Sequence, residues 1–165
     1  MQTLKDFING TLIKEIAEIQ GSGHHYLSFG LIAQGIEFLG ASIDDTNDDF
    51  FAPDRSEMRF RQAINDLFPA KYDPFNVKGE PHYLYSDLRC GLLHVALPKP
   101  AIELIQETEI LDYGDHLEIK EIRGTESLIL VSQRLYDDFK SACEEVIKSI
   151  DDGSINNRNL LAVSP

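Results

Sequence analysis

Apolar residues recur along the first half of the chain at three- and four-residue steps, the signature of helices with one buried face. Leu4, Phe7, Ile8, Leu12, Ile16 and Ile19 predict a helix over Thr3–Gln20, with Thr3 placed to cap it. Gly21-Ser22-Gly23 breaks that helix and begins the next, which runs from about His24 to Ile43. This second helix is apolar over more than one face, as a helix in the middle of a bundle is. Gly30, Gly35 and Gly40 interrupt it. Each costs about 1 kcal/mol of helix propensity relative to Ala, so they are expected where a neighbouring helix or a second subunit comes close. Glu37 is the one acid in this stretch, and a buried carboxylate needs a partner. Arg89 is the candidate.

A third helix follows an acidic loop, Asp44–Asp49, with Asp54 or Ser56 as its cap. Met58, Phe60, Ala63, Ile64, Leu67 and Phe68 form its expected buried stripe. Residues 69–81 carry three prolines and a glycine and read as an irregular connector. A helix from about Pro81 to His94 comes next, and Pro98 and Pro100 end it. The period then shortens. The runs 101–106, 116–122 and 127–132 are rich in Ile, Leu and Val and predict a two- or three-stranded antiparallel sheet, with a hairpin at Arg123–Glu126. Leu135, Phe139, Ala142, Cys143, Val146 and Ile150 then mark a last helix, Gln133–Ile150, which Gly153 stops. The expected fold is therefore mainly α, four to five helices with a small β insertion at about 101–132, in one domain over 1–153. Residues 154–165 read as a loose tail.

Composition narrows the function. Of 165 residues, 42% are apolar, which supplies a core. Acids outnumber bases 28 to 15, for a net charge of −13. That opposes general affinity for nucleic-acid phosphates, so any such role must rest on a local basic site or on a partner. The two cysteines, Cys90 and Cys143, lie in apolar-periodic segments and read as buried free thiols of a reducing compartment. The N-terminus mixes charges, and no apolar run approaches the roughly 20 residues needed to cross a bilayer. A cytoplasmic protein without a membrane segment is expected. Asp45, Asn47 and Asp49 alternate like a calcium loop, but Phe50 and Ser56 stand where that loop needs Gly and Glu. The loop is expected to be solvated. Arg55, Arg59 and Arg61 form the densest positive cluster, read as a solvated face pairing with this loop or as a phosphate-contacting surface. No spacing fits zinc, a serine-hydrolase turn or a glycine-rich phosphate loop, so no metal and no cofactor is expected.

Arg89 and His94, with four residues between them in an apolar segment, are the candidate chemistry. The other histidines, His24, His25, His82 and His116, fall at the starts of elements and read as caps or surface residues. Arg89-Cys90-Gly91-Leu92-Leu93-His94 resembles the R-x4-6-H motif of the HEPN superfamily, helical bundles that carry this motif on a late helix. Tyr83, Leu84, Tyr85 and Leu88 resemble the apolar face that precedes it, and the resemblance spans roughly residues 3–150. It implies a metal-independent endoribonuclease with Arg89 and His94 as catalytic residues, and Glu37, Asp87 and Cys90 in support. It implies RNA as substrate and a homodimer in which two motifs face each other. Active members usually place Asn, Asp or His directly after the arginine, where this chain has Cys90, a weak donor. Other members are inactive interaction modules or antitoxins, which implies a protein partner instead. A third reading leaves Arg89 paired with Glu37 or Asp87 and His94 as a core histidine.

Overall fold

The computed structural model describes residues 2–46 and 49–160. Asn47 and Asp48 of the acidic loop and the last five residues of the tail lie outside them.

The first helix forms where its pattern places it. Thr3 and Asp6 close a capping box, the Thr3 hydroxyl accepting from the Asp6 N–H while Asp6 accepts from the Thr3 N–H. The helix begins as α1 (Leu4–Phe7), widens into a π-wound stretch (Ile8–Glu15), and ends as α2 (Ile16–Gly21). Next comes α3 (His25–Ile43), the central helix. By length and hydropathy α3 could span a bilayer, but about half of it is buried against the other helices. A core helix has the same composition. Two of its glycines behave as expected. A Cβ on Gly35 would meet the Phe139 ring, and one on Gly40 would meet the backbone of Arg59. A Cβ on Gly30 would meet nothing within 4 Å outside its own helix among the described residues.

The crossing at Gly40 brings in α4 (Ser56–Leu67). Its buried face holds Phe60, Ala63 and Ile64, whereas Met58 is exposed and Leu67 only half-buried. The arginines are committed. Arg59 has a fully buried side chain, so the expectation of a solvated face fails there. It and Arg55 bond Asp44, and Arg61 donates to the Asn76 carbonyl. Asp44 itself is buried rather than part of a solvated loop.

The connector contains a 3-10 turn (Ala70–Phe75) that buries Tyr72 and Phe75. Pro81 does not start a helix. His82 follows it in the left-handed region (φ 62°), its buried ring 3.0 Å from the Ala101 carbonyl through Nδ1. That anchor, and the Tyr83 hydroxyl donating to Glu57, hold the chain out of helical geometry until Leu84. A π-wound turn (Tyr85–Arg89) then leads into α5 (Cys90–Val95), which Ala96 ends in the left-handed region.

The sheet is mixed, not antiparallel. Strands β1 (Ile102–Ile105), β2 (Ile119–Ile122) and β3 (Thr125–Val131) lie in the order β1-β3-β2. β1 runs parallel to β3, with Ile102 opposite Leu128, and β2 pairs antiparallel to β3, with Ile119 opposite the same residue. Alternation reports faces and says nothing of direction. The parallel pairing needs a long crossover, supplied by residues 106–118 with α6 (Ile110–Tyr113) and by β2 itself. Arg123 and Gly124 both have positive φ, a two-residue turn that matches strand twist.

β3 feeds directly into α7 (Ser132–Asp151), whose predicted stripe from Leu135 to Ile150 is buried. Ser132 makes no cap bond; its hydroxyl lies 3.3 Å from the His25 ring. The start of the tail is docked rather than loose. Asn159 bridges to Thr3, Ile155 and Leu160 pack on the core, and Arg158 donates to the Ala41 carbonyl while lying 4.3 Å from the Phe50 ring.

His116 is neither a cap nor a surface residue. Its side chain is buried, and the Val131 N–H donates to Nδ1, which places the proton on Nε2. Nε2 lies 2.8 Å from the Tyr72 hydroxyl, which donates to Asp138. Burial, with Lys71 adding to it, lowers His116 to about 4 against the pull of Asp138 and Asp115. The folded state therefore favours the neutral ring, and the unfolded chain binds the extra proton between about 4 and 6.5. Stability from this group is complete above pH 6.5 and is lost as pH falls toward 4, by roughly 3 kcal/mol. Urea unfolding of wild type and His116→Gln across pH 4–7 checks it: the difference in their slopes should fall in that window.

Candidate functional site

The motif helix is held by the loop that follows it. After Ala96 the chain doubles back, so that the Leu97 carbonyl would stand 2.5 Å from a Cβ on Gly91, and the Lys99 N–H donates to the Asp87 carbonyl. Asp87 pairs with Lys99 at 3.1 Å and so supports the turn rather than Arg89. Arg89 turns inward. Its Nη2 lies 2.6 Å from Glu37 Oε2, the partnership expected from the isolated acid in α3. The two side chains are 15% and 25% exposed, which makes this a desolvated pair rather than a surface one. The guanidinium carbon lies 5.5 Å from the Tyr85 ring. Its Nε is buried with no hydrogen-bond partner among the described residues. Cys90 is half-buried and lies against the Tyr85 hydroxyl, which burial pushes up and which donates to Ser56.

His94 is elsewhere. A five-residue step carries it about 140° round an α-helix from Arg89. It is exposed, which removes the core-histidine reading, and no hydrogen bond or ion pair reaches it among the described residues. Around it the surface is apolar. Val95 and Leu97 are exposed on either side of Ala96, whose carbonyl accepts from the Tyr26 hydroxyl, and Tyr26 and Leu27 are exposed at the start of α3. The helix thus points the two motif residues in different directions.

Arg89 and Glu37 border an open cleft of about 570 Å³ between the first helix and α3. Phe7, Leu12, Ile16 and Ile19 wall one side, and Leu31 and Phe38 the other. Phe51, 83% exposed, stands at its mouth. Both π-wound stretches border this cleft, through Thr11, Leu12 and Glu15 on one and Arg89 on the other. Such segments occur often at functional sites. Phe7, Leu12, Ile16 and Ile19 were expected as a buried stripe and not as a cleft wall, although the sequence carries the signal: apolar positions on the first helix and α3 in excess of those the core consumes.

No family model, curated protein or solved structure matches the chain.

Proposed function

We propose that the chain is a HEPN-like helical domain in which Arg89 and His94 form a metal-independent RNA-cleaving site completed by a second copy of the chain. The observation that carries this reading is that His94 is exposed beside an apolar patch, while Arg89, paired with Glu37, still borders an open cleft. A homodimer formed through Tyr26, Leu27, Val95 and Leu97 brings two His94 side chains together. One imidazole takes the proton of an RNA 2′-hydroxyl as that oxygen attacks the adjacent phosphorus. The other protonates the departing 5′-oxygen. The products are a 2′,3′-cyclic phosphate and a 5′-hydroxyl end. The Arg89 guanidinium, released from Glu37, meets the charge that develops on the phosphoryl oxygens.

Single-stranded RNA of mixed sequence, incubated with the protein in EDTA, tests this. Cleavage should leave cyclic phosphate ends and fall about 100-fold or more in His94→Ala, with the fold and the dimer intact. Leu27→Asp should split the dimer and abolish cleavage. RNA left uncut by the wild-type protein in EDTA defeats the proposal.

A second reading is favoured by the 2.6 Å Glu37–Arg89 contact, which occupies the arginine, and by Cys90 beside it. On this reading the domain is an inactive interaction or antitoxin-like module, and the motif braces α5 against α3. Glu37→Gln separates the two: it frees Arg89 for phosphate and leaves or raises cleavage in a nuclease, but only loosens the fold in a module.

A further inference from the structure

The cleft beside Arg89 is a groove between the first helix and α3. Its walls on the first helix, Phe7, Thr11, Leu12, Glu15, Ile16 and Ile19, recur at three- and four-residue steps along one face. On α3, Leu31, Gln34, Phe38 and Ala41 make the opposing face. Phe7 and Phe38 close one end, their rings 4.8 Å apart. Twelve residues of helix give a trough about 18 Å long, three turns of α-helix. Two apolar stripes that converge on solvent form the kind of groove in which an amphipathic helix lays its apolar face.

Charge decides what kind of helix. Both arginines at the trough are committed, Arg59 to Asp44 and to backbone carbonyls, and Arg89 to Glu37. The charge left among the lining residues is Glu15, which is exposed and which no ion pair reaches among the described residues. Thr11 and Gln34 likewise make no side-chain hydrogen bond among the described residues. A second copy of this chain, at a net charge of −13, would set its own acids against Glu15 and against an equally acidic surface. We propose that the trough binds a partner protein through one amphipathic helix of about three turns, apolar on the face it inserts and lysine- or arginine-rich on its flanks. Because Arg89 borders the trough, the docked helix covers it. Suppression of RNA cleavage by the docked helix rests on the cleavage reading above; the binding does not.

The test uses two fluorescein-labelled helical peptides, one of Leu and Lys in amphipathic order and the other with Glu for every Lys. Fluorescence anisotropy should show one Leu/Lys peptide bound per chain and the Glu peptide at least 10-fold weaker. Amide shifts of the wild-type protein should change along residues 7–19 and 31–41. Leu31→Asp is the discriminating variant. It adds negative charge, so adsorption of a cationic peptide to an acidic surface would strengthen, whereas docking in the trough should weaken at least 10-fold. Ile19→Asp, half-buried on the opposite wall, does the same should Leu31→Asp unfold. Tighter binding by these variants, shifts scattered over the surface, equal binding of the two peptides, or a wild-type dimer that Leu31→Asp splits would each overturn the proposal. A protein that binds the peptide as expected but leaves RNA uncut keeps this inference and loses the cleavage reading.

Discussion

Gly40→Ala should destabilise the protein by about 3–5 kcal/mol, among the largest effects of any single substitution. A methyl there would stand 1.9 Å from the Arg59 carbonyl oxygen and 2.4 Å from its carbon. Those are backbone atoms in α4, so no rotamer change relieves the clash, and α3 and α4 must separate along their most extensive contact. The gain in helix propensity from Gly to Ala, about 1 kcal/mol, has the opposite sign and is outweighed. The other two glycines of α3 are internal controls. At Gly35 the obstacle is the Phe139 ring at 2.4 Å, a side chain that can shift but is itself fully buried, so Gly35→Ala should cost about 1–3 kcal/mol. At Gly30 a Cβ would meet nothing within 4 Å outside its own helix among the described residues, and Gly30→Ala should be neutral or stabilise by up to about 1 kcal/mol. Urea unfolding should therefore rank the three with Gly30→Ala above wild type and Gly40→Ala lowest. A Gly40→Ala protein as stable as wild type would mean that the two helices do not cross as closely as this.

These glycines show what the sequence carries and what it hides. The interruption of an apolar helix is visible in the sequence, and so is the need for close neighbours. Which neighbour comes close at which glycine is set by tertiary packing. The same division runs through the fold. The cap at Thr3, the extent of α3 and the stripe on α7 are local or periodic, and they were legible. The parallel pairing of β1 with β3 was not, because alternation is the same for both directions. His82 and His116 looked peripheral by position. They are buried because the Ala101 carbonyl and the Val131 N–H, distant in sequence, supply their hydrogen bonds. At the site, the Glu37–Arg89 pair was legible from the rule that a buried acid needs a cation. The opposed directions of Arg89 and His94 follow from the helical step between them. The cleft was not foreseen, because a stripe along a helix does not announce whether the chain itself will cover it.

Arg59 should matter to stability nearly as much as Gly40. Its side chain and that of Asp44 are each 2% exposed. Its Nε donates to Asp44 Oδ2 at 3.0 Å, and its two terminal nitrogens donate to the carbonyls of Phe50 and Asp49, at 3.2 and 2.9 Å. One guanidinium therefore ties the end of α3, the acidic loop and the wall of the cleft to α4. Arg59→Met keeps much of the volume and removes every one of these bonds. It leaves a buried carboxylate with Thr46 and Arg55 alone, and should cost about 3–5 kcal/mol. Asp44→Leu made together with Arg59→Met removes the stranded charge as well, and should recover part of the loss, since a buried ion pair replaced by apolar groups is often near neutral. Acid titration supplies a second reading of the same contact. Burial raises the Asp44 carboxyl, but the hydrogen bonds from Thr46, Arg59 and Arg55 outweigh it and hold the group at about 2. The folded state thus favours the carboxylate. The stability this confers is present above about pH 4 and is lost as pH falls from there toward 2. In Arg59→Met that acid-sensitive part should shrink, while the His116 part between pH 4 and 6.5 stays. A double-mutant cycle in urea at pH 7, repeated at pH 3, measures both. If Arg59→Met and wild type unfold at the same urea concentration at pH 7, the pair does not hold the loop, and the cleft wall built on it has some other support.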